Sequence, residues 1–512
     1  MSQGIIVPDP QSSKLASGVP GLDDVLSGGW PAGKVYLVEG SPGTGKTTLS
    51  LQFLLAGLEA GETGLYISLS ESRAELEVVA ASHGWSLDRL EIFEVFSDEG
   101  LNPDQEQTVL HPAELELGET IRAVMAQVDA VRPKRLAFDS LSDMRLLAQS
   151  SLRYRRQVLA LKHFLMQRNC TALLLADRTA DGGDLQLHSV ASGVLVLEQV
   201  MLEYGAQRRR LRLMKLRGTA FRGGWHDYTI QRGGLVSFPR LPIDHHRTEL
   251  VSEALSSGAP GLDALLGGGL VPGTNILLIG PSGTGKTSLA TSVVIAALRR
   301  GERAAYFLSD ERLPTLLTRS ANFGMDLRPY IQSGMLTVRH IDAAEVSPGQ
   351  FAAFIREQAE RDGCRVVAID SLNAYLRSLP GEKYLTLRMN GLLSFLHHHR
   401  VITLMVVTQE GAGGAVRSNV DLSHLADSVV RMRFFEVEGV VRRAISVLKS
   451  RIAASEPTIR EFTFGAAGLE VGPPLRGFRG VLTGSLDWSG AADDLMPLNP
   501  ATPAFGGSGG GR

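Results

Sequence analysis

Short apolar runs alternate with longer amphipathic segments along the whole chain. In the first half the apolar runs are Val35–Val38, Leu65–Ser68, Leu136–Phe138 and Thr171–Ala176. In the second half they are Ile276–Ile279, Ala305–Leu308, Val366–Ile369 and Val401–Val407. Between the runs, apolar residues recur at helical spacing, as in Ala123–Val131 and Phe351–Arg361. Strands that alternate with helices in this way predict an α/β fold with a mostly parallel sheet covered on both faces.

The second half of the chain repeats the first. The segment EGSPGTGKTTLS at 39–50 matches IGPSGTGKTSLA at 279–290. Lys46 and Lys286 lie 240 residues apart (286 − 46), and the same offset holds without a gap throughout residues 15–50. The chain is therefore predicted to be a tandem duplication of one domain.

The length of the chain agrees with two domains, because 512 residues exceed what one hydrophobic core usually serves. We place the first domain at 15–240 and the second at 255–488. The segment 241–254 shows no clear periodicity and is predicted to be a linker. Residues 1–14 and 489–512 are predicted to be flexible, the latter because they are rich in Gly, Pro and Ser.

Composition narrows the class of protein. The 52 Lys and Arg residues are balanced by 54 Asp and Glu, so the chain is not a polycation, although a local basic groove is compatible with that balance. Cys170 and Cys364 are far apart, which excludes a disulfide framework and a cysteine zinc site. No apolar stretch approaches the ~18 residues of a membrane helix. We expect a cytoplasmic protein without a membrane segment.

Both halves carry the pattern G-x-x-x-x-G-K-[ST] between a predicted strand and a predicted helix. Glycines at these positions let backbone N–H groups surround phosphate oxygens. Lys46 and Lys286 would then reach the β- and γ-phosphates of ATP, and Thr47 and Thr287 would bind Mg²⁺. The alternative is a glycine-rich turn that binds nothing. The predicted nucleotide-binding residues are Gly40, Ser41, Pro42, Gly43, Thr44, Gly45, Lys46, Thr47, Thr48, Gly280, Pro281, Ser282, Gly283, Thr284, Gly285, Lys286, Thr287 and Ser288.

An aspartate at the end of a later strand should complete the Mg²⁺ site. Asp139 and Asp370 meet this requirement, 93 and 84 residues after the loop lysines (139 − 46 and 370 − 286). An aspartate at a strand end is also a common helix cap, which is the alternative interpretation.

Hydrolysis needs a carboxylate that orients or deprotonates water. After the second predicted strand the first half offers Glu71, preceded by Ser70, and the second half offers Asp310 and Glu311. Glu71 and Glu311 obey the 240-residue offset (311 − 71). The alternative is an exposed acid at a helix start, which the helix dipole favours.

A basic strand closes each half. Lys215 and Arg217 alternate along one strand, as do Lys449 and Arg451, so each pair lies on one face. Two cations on one face can stabilise the charge that develops on a γ-phosphate. The alternative is a solvated edge strand protected by lysine.

These motifs together resemble the KaiC family of double-domain ATPases with RecA-like P-loop NTPase domains. The resemblance covers roughly residues 12–487, and Lys215-Leu-Arg-Gly-Thr219 is its most specific part in the first half. It implies a homohexamer of two rings with ATP between neighbouring subunits, in which the Lys-x-Arg pairs act in trans. It also implies adenine contacts at Ser82 and Phe323, and a regulatory C-terminal loop at 475–485 that binds partner proteins together with the tail.

The second domain of the family can phosphorylate itself on an adjacent Ser–Thr pair. Here Ser423 keeps the serine, and His424 replaces the threonine. We therefore expect Ser423 as the phosphoacceptor and no two-site cycle. Lys449-Ser-Arg451 lacks the Gly-Thr ending of the first half. The acidic segment 98–120 is predicted to be a surface loop or a partner site.

Three functions fit the sequence: an ATP-driven signalling switch, a DNA recombinase or helicase, and a nucleotide-dependent assembly scaffold with weak turnover. The candidate DNA loops, 178–184 and 410–417, carry few cations and no aromatic residues, so the sequence disfavours DNA. The scaffold hypothesis stays open because Ser70 stands where the family has an acid.

Overall fold

The computed structural model describes residues 13–95, 112–148, 150–178, 185–201, 205–241, 253–342, 344–377, 385–409, 423–452, 454–466, 468–476, 478–479, 487–488 and 495–497. It divides into two units, Met1–Arg240 and Leu241–Arg512. The domain boundaries expected from the sequence, including the linker, stay a prediction.

The first unit contains eleven strands and seven helices among its described residues. The strands are β1 Lys14–Leu15, β2 Trp30–Pro31, β3 Val35–Gly40, β4 Gly64–Ser68, β5 Glu91–Glu94, β6 Arg135–Asp139, β7 Thr171–Asp177, β8 Gly193–Val200, β9 Arg208–Leu216, β10 His226–Gln231 and β11 Gly234–Phe238. The helices are α1 Leu22–Val25, α2 Lys46–Glu59, α3 Arg73–His83, α4 Pro112–Val131, α5 Leu141–Leu146, α6 Ser151–Gln167 and α7 Leu185–Val190.

The second unit repeats this order. Its strands are β12 Asn275–Gly280, β13 Ala304–Leu308, β14 Leu336–His340, β15 Val366–Asp370, β16 Ile402–Thr408, β17 Ser428–Val437, β18 Val440–Ser450, β19 Arg460–Gly465, β20 Gly468–Pro474, β21 Phe478–Arg479 and β22 Asp487–Trp488. Its helices are α8 Pro260–Leu265, α9 Lys286–Arg299, α10 Leu313–Asn322, α11 Arg328–Gln332, α12 Pro348–Glu360, α13 Leu372–Arg377 and α14 Leu385–His398. A 3₁₀ turn spans Ser423–Leu425.

Each unit is built on a nine-stranded mixed sheet. The order is β11-β10-β9-β8-β3-β7-β6-β4-β5 in the first unit and β14-β13-β15-β16-β12-β17-β18-β19-β20 in the second. The six strands from β5 to β8, and likewise from β14 to β17, run parallel, and the remaining three pair antiparallel. This confirms the predicted α/β class.

Helices cover both faces of each sheet because the central strands are apolar on both faces. In β3, Tyr36 and Val38 pack into one buried cluster, whereas Val35 and Leu37 pack into another on the opposite side. Alternate strand residues point to opposite faces, so a continuous apolar run requires two cores.

The acidic segment before α4 corrects one expectation. Pro112 begins a helix, so the second part of the segment 98–120 is not a loop, while 98–111 lies outside the described residues. Leu117, Ile121 and Val124 are buried at the spacing of one helix face. That apolar stripe extends the predicted helix Ala123–Val131 toward its N-terminus despite the acidic residues around it.

Part of the segment predicted to be a flexible tail contacts the second unit. The Met496 N–H donates to Glu461 at 2.8 Å, and Arg442 donates to the Met496 carbonyl at 2.8 Å. Leu495 packs beside a small apolar cluster that contains Phe435. Residues 495–497 thus make local apolar and polar contacts that composition does not reveal.

None of the helices that the structure describes has both the length and the apolar character needed to span a bilayer.

Candidate functional site

A glycine-rich loop joins β3 to α2 in the first unit. Gly43 and Gly45 have φ values of 78° and 91°, in the left-handed region that favours glycine. A Cβ at Gly45 would lie 2.6 Å from the Ile230 Cδ1 atom. The loop therefore needs glycine there, and its N–H groups lie at the N-terminus of α2, where anions are stabilised.

The loop between β12 and α9 repeats this geometry. Gly283 and Gly285 have φ values of 80° and 100°. A Cβ at Gly285 would lie 2.6 Å from the Phe464 Cε2 atom. Both predicted phosphate loops thus have the same backbone conformation at the same place in the fold.

The loop lysine of the first unit contacts three groups at the edge of the sheet, one of them the Ser41 carbonyl at 3.3 Å. Lys46 donates to the Gly40 carbonyl at 2.8 Å and to Asp177 Oδ1 at 2.7 Å. Asp177 ends β7, directly beside Gly40 on β3. The ammonium group is therefore held at the mouth of the loop.

Among the described residues, the loop lysine of the second unit keeps the contact that corresponds to Ser41 and lacks the one to a strand-end carboxylate. Lys286 donates to the Pro281 carbonyl at 2.7 Å. Burial lowers the pKa of Lys286 to about 8, and the charge of Asp370 opposes this shift. Thr408 stands beside Gly280, at the position that corresponds to Asp177. The two phosphate loops thus differ in the charge that surrounds their lysines.

The strand-end aspartate of the first unit lies beside the loop threonine. Asp139 Oδ2 accepts hydrogen bonds from Tyr66 Oη at 2.6 Å and from Thr47 Oγ1 at 3.2 Å. Burial raises the pKa of Asp139, although both hydrogen bonds and the charge of Lys46 lower it. The structure therefore brings together the two predicted Mg²⁺-binding residues.

The second unit shows the same arrangement. Asp370 Oδ2 accepts from Tyr306 Oη at 3.3 Å. Burial raises the pKa of Asp370, and hydrogen bonds from Thr287 and Tyr306 lower it. The strand-end aspartate therefore again lies beside the threonine of the phosphate loop.

These donor sets fit a hard divalent cation. Mg²⁺ prefers oxygen ligands and binds through one or two protein groups together with substrate phosphates. Thr47 with Asp139, and Thr287 with Asp370, supply one hydroxyl and one carboxylate each, both near a phosphate loop. No group of three or more His, Cys, Asp or Glu side chains is arranged to hold a metal in the described part of the chain. Phosphate oxygens would have to complete either site.

Glu71 follows β4, and its backbone groups are hydrogen-bonded to the Ser68 side chain. Its N–H donates to Ser68 Oγ at 3.0 Å, and the Ser68 hydroxyl donates to the Glu71 carbonyl at 2.5 Å. Its side-chain Oε2 is buried and has no hydrogen-bond partner among the described residues. Burial raises the pKa of Glu71, Asp139 raises it further, and Lys46 lowers it. Glu71, Asp139 and Lys46 therefore act on one another within one site.

The two acids of the second unit are both bonded. Glu311 receives Arg319 through both carboxylate oxygens, at 2.6 and 2.8 Å. Asp310 Oδ2 accepts from Ser371 Oγ at 2.6 Å. Glu71 and Glu311 thus occupy matching positions but differ in the hydrogen bonds that their carboxylates accept.

The basic strands are interior strands. β9 lies between β8 and β10, and β18 lies between β17 and β19. However, β10 pairs only with Arg209–Leu211 and β19 only with Ala444 and Ile445, so in the described part of the chain Lys215 and Lys449 have a strand partner on one side alone and the edge-strand alternative stays open. That pairing is long-range and leaves no local signal in the sequence.

The Lys-x-Arg residues donate hydrogen bonds to backbone carbonyls just before β8 in the first unit and just before β17 in the second. Lys215 donates to the His188 carbonyl, and Arg217 donates to the Ser189 carbonyl at 2.9 Å. Burial lowers the pKa of Lys215, and Arg217 adds to the shift.

In the second unit Lys449 donates to the Ser423 and Ala426 carbonyls at 2.7 and 2.8 Å. The Arg451 N–H donates to the Asp427 carbonyl at 2.9 Å. The cationic pair and the serine expected as phosphoacceptor are thus neighbours.

The residues expected at the adenine differ in their surroundings. Phe323 lies 5.4 Å from Phe464, ring centroid to centroid, and Phe464 packs on the glycine of the second loop. Ser82 lies on the exposed side of α3, with its hydroxyl bonded to the Val79 carbonyl at 2.6 Å. Phe323 is thus connected to the phosphate loop by aromatic packing.

Sequence reasoning missed several residues of the sites. Tyr66 and Tyr306 obey the 240-residue offset (306 − 66), so the repeat itself could have indicated them. Asp177 and Arg319 have no counterpart in the other half and gave no such signal. The candidate DNA loops lie outside the described residues except Arg178, as do residue 477 and residues 480–485 of the predicted C-terminal loop.

Two phosphate loops, each with a loop threonine, a strand-end aspartate and acids after the next strand, define a tandem P-loop ATPase. A family model described as "ATPase: KaiC" matches residues 15–241 and 255–476. The chain belongs to the KaiC family.

Characterised relatives span nearly the whole chain. It is 28% identical over 482 residues to the circadian clock protein KaiC3 of Synechocystis sp., covering 92% of this chain and 94% of the relative. It is 28% identical over 486 residues to the circadian clock oscillator protein KaiC of Synechococcus elongatus, covering 92% of each. It is also 28% identical over 497 residues to the KaiC of Parasynechococcus marenigrum, covering 93% of each.

Proposed function

We propose that the chain is an ATP-driven signalling switch with one Mg²⁺-dependent hydrolytic site in each domain and self-phosphorylation on Ser423. The observation that carries this proposal is the cluster at the carboxyl edge of each sheet. There the loop lysine, the loop threonine and the strand-end aspartate come together, with an acid from the neighbouring strand end. Ligands of open parallel sheets bind at this edge.

In the first site each residue has a distinct task. The N–H groups of the loop and Lys46 hold the phosphates of ATP. Thr47 and Asp139 would hold Mg²⁺, which when bound shields the phosphate charge. Glu71 orients the attacking water and takes its proton, because its Oε2 is buried without a protein partner among the described residues. Ser82 would contact the adenine.

The second site uses the same phosphate loop with Lys286, Thr287 and Asp370. Phe323 would stack on the adenine ring. Asp310 and Glu311 are the candidate acids for orienting or deprotonating the attacking water. The chemistry is phosphoryl transfer to water, and to Ser423 when that hydroxyl occupies the water's place.

The cationic pairs complete each site from a neighbouring subunit of a homohexamer. Within one chain Lys215 and Arg217 are turned toward the backbone carbonyls of α7 and the residues around it. In trans, Lys215 and Arg217, and likewise Lys449 and Arg451, would stabilise the developing γ-phosphate charge. ATP would thus lie at each subunit interface, and its hydrolysis would be coupled to assembly. Regulatory proteins would bind the C-terminal loop at 475–485 and the tail.

Self-phosphorylation is tested with γ-labelled ATP and the full-length chain. We expect covalent label on the protein, because Ser423 lies beside the Lys449 ammonium in the second unit. Label should be lost in Ser423→Ala and in Lys286→Ala but kept in Ser428→Ala, a serine five residues along on β17. The readout is protein-bound radioactivity after denaturing electrophoresis.

Full labelling of Ser423→Ala would contradict Ser423 as the acceptor. Label-free protein with sustained phosphate release would leave an ATPase without kinase activity. Release stimulated by DNA, in a salt-dependent manner, would favour the recombinase or helicase class instead.

A further inference from the structure

In the second unit, the glutamate that matches Glu71 forms an ion pair with an arginine. Arg319 on α10 donates through Nη1 and Nη2 to the two carboxylate oxygens of Glu311, at 2.6 and 2.8 Å. The Glu311 side chain is 19% exposed and that of Arg319 is 33% exposed. Bidentate pairing is the strongest and most directional form of this ion pair. Both oxygens of Glu311 are thus occupied by guanidinium protons.

The first unit lacks this ion pair because the arginine is replaced. The 240-residue offset places Val79 opposite Arg319 (319 − 240), and a valine cannot pair with a carboxylate. Glu71 Oε2 is buried without a hydrogen-bond partner in the part of the chain that the structure describes. Two glutamates at one position of the repeat therefore differ in whether their carboxylate oxygens have hydrogen-bond donors.

The neighbouring acid of the second unit is engaged as well. Asp310 accepts a hydrogen bond from Ser371 at 2.6 Å. In the first unit the matching serine, Ser140, donates instead to Asp143 at 2.6 Å, and Ser70 occupies the position of Asp310. The difference between the two sites thus extends to both acidic positions.

We propose that Arg319 is a positioning residue that withdraws Glu311 from the attacking water and slows ATP hydrolysis at the second site relative to the first. The inference rests on the proposed function, since it assumes that both sites hydrolyse ATP. In the step concerned, the water oxygen bonds to the γ-phosphorus and the bond from that phosphorus to the bridging oxygen of ADP breaks. The proton of the water passes to a carboxylate. Transfer to Glu311 would remove the negative charge that Arg319 pairs with, so the ion pair opposes it.

The test exchanges the residues that differ between the halves. In the full-length chain carrying Glu71→Gln, turnover comes from the second site. Adding Arg319→Val should raise kcat for phosphate release about tenfold, a fraction of the usual contribution of a general base, with KM for ATP within about twofold. Arg312→Val, at an exposed arginine one residue before the same helix, is the matched control and should change neither value.

The reciprocal exchange tests the same idea in the first unit. In the chain carrying Asp310→Asn and Glu311→Gln, Val79→Arg should lower first-site kcat about tenfold by pairing with Glu71. Val79→Met, which adds bulk without charge, should keep most of it. Binding of a fluorescent ATP analogue shows that each variant retains its nucleotide sites.

A kcat that is unchanged or reduced in Arg319→Val, with nucleotide still bound, overturns the inference and makes the ion pair a support for Glu311. Failure of the proposed function is a separate result. A chain carrying Glu71→Gln, Asp310→Asn and Glu311→Gln that hydrolyses ATP at the parent rate would overturn both.

Discussion

Glu71→Gln is expected to lower phosphate release from the first site by roughly 10²–10⁴-fold, the usual contribution of a general base. The amide is nearly isosteric but cannot take a proton from water. Phosphate binding should be kept, because Lys46 and the loop N–H groups are unchanged. The measurement is kcat and KM in a chain that also carries Asp310→Asn and Glu311→Gln, so that the first site alone turns over.

Glu77→Gln is the matched control for this prediction. Glu77 lies on the exposed side of α3 and pairs with Arg73 at 2.9 Å. Surface pairs of this kind contribute little, so turnover should stay at the parent value. Equal losses in both variants would show that the charge of α3, and not the position of Glu71, matters.

The pH dependence of first-site activity tests the role of Glu71 independently. Burial raises the pKa of Glu71, and a general base must be deprotonated to act. First-site kcat/KM, which reports the free enzyme, should therefore fall as the pH drops through a value above the ordinary ~4.3 of glutamate. An acid limb at or below that ordinary value would contradict the role of Glu71.

Mixing two inactive variants is expected to restore first-site activity. Both variants carry Asp310→Asn and Glu311→Gln, so that only the first site can turn over. One also carries Lys46→Ala and cannot hold phosphate, and the other also carries Lys215→Ala with Arg217→Ala. If the cations act in trans, a mixed ring contains interfaces that join an intact phosphate loop to an intact cationic pair. After subunit exchange, phosphate release should recover to about a quarter of the parent rate, in proportion to such interfaces, from values about 10³-fold lower.

The control for the mixing experiment combines all three substitutions in one chain. Mixed with either of the two variants, this chain should restore no phosphate release. No recovery in the mixture of the two inactive variants, although mixed rings form, would place the cationic pairs in their own subunit's site. That outcome would leave the ATPase assignment intact and remove the interface model.

The sequence predicted the elements that a local motif or the repeat encodes. The phosphate loops need glycine at fixed positions, and the strands next to them are continuous apolar runs, so Gly45, Lys46 and β3 could be located directly. Asp139 was predicted because the repeat supplied a second example at Asp370. Two independent copies of a pattern restrict its interpretation far more than one copy does.

Other features depend on contacts between distant parts of the chain. The interior position of β9 arises from β10, which follows the basic motif and pairs with Arg209–Leu211, while β11 pairs with β10. Pairing of that kind is set by the tertiary fold rather than by local periodicity. The first turns of α4 were not predicted, because the acidic residues there suggested a loop although Leu117 belongs to a buried apolar stripe.

The carboxylate states were the least predictable part of the sites. Glu71 and Glu311 are identical in sequence and position, yet one keeps a buried oxygen without a partner among the described residues and the other is paired. The difference lies in Val79 and Arg319, eight residues further on. A motif names the acid, whereas its basicity depends on neighbours that no motif includes.

The most direct test of the central claim is phosphate release from Mg²⁺-ATP by the full-length chain and by three loop variants, Lys46→Ala, Lys286→Ala and the double substitution. Two hydrolytic sites predict that each single variant keeps part of the parent rate and that the double variant loses it. A double variant that releases phosphate at the parent rate would contradict the assignment of both phosphate loops.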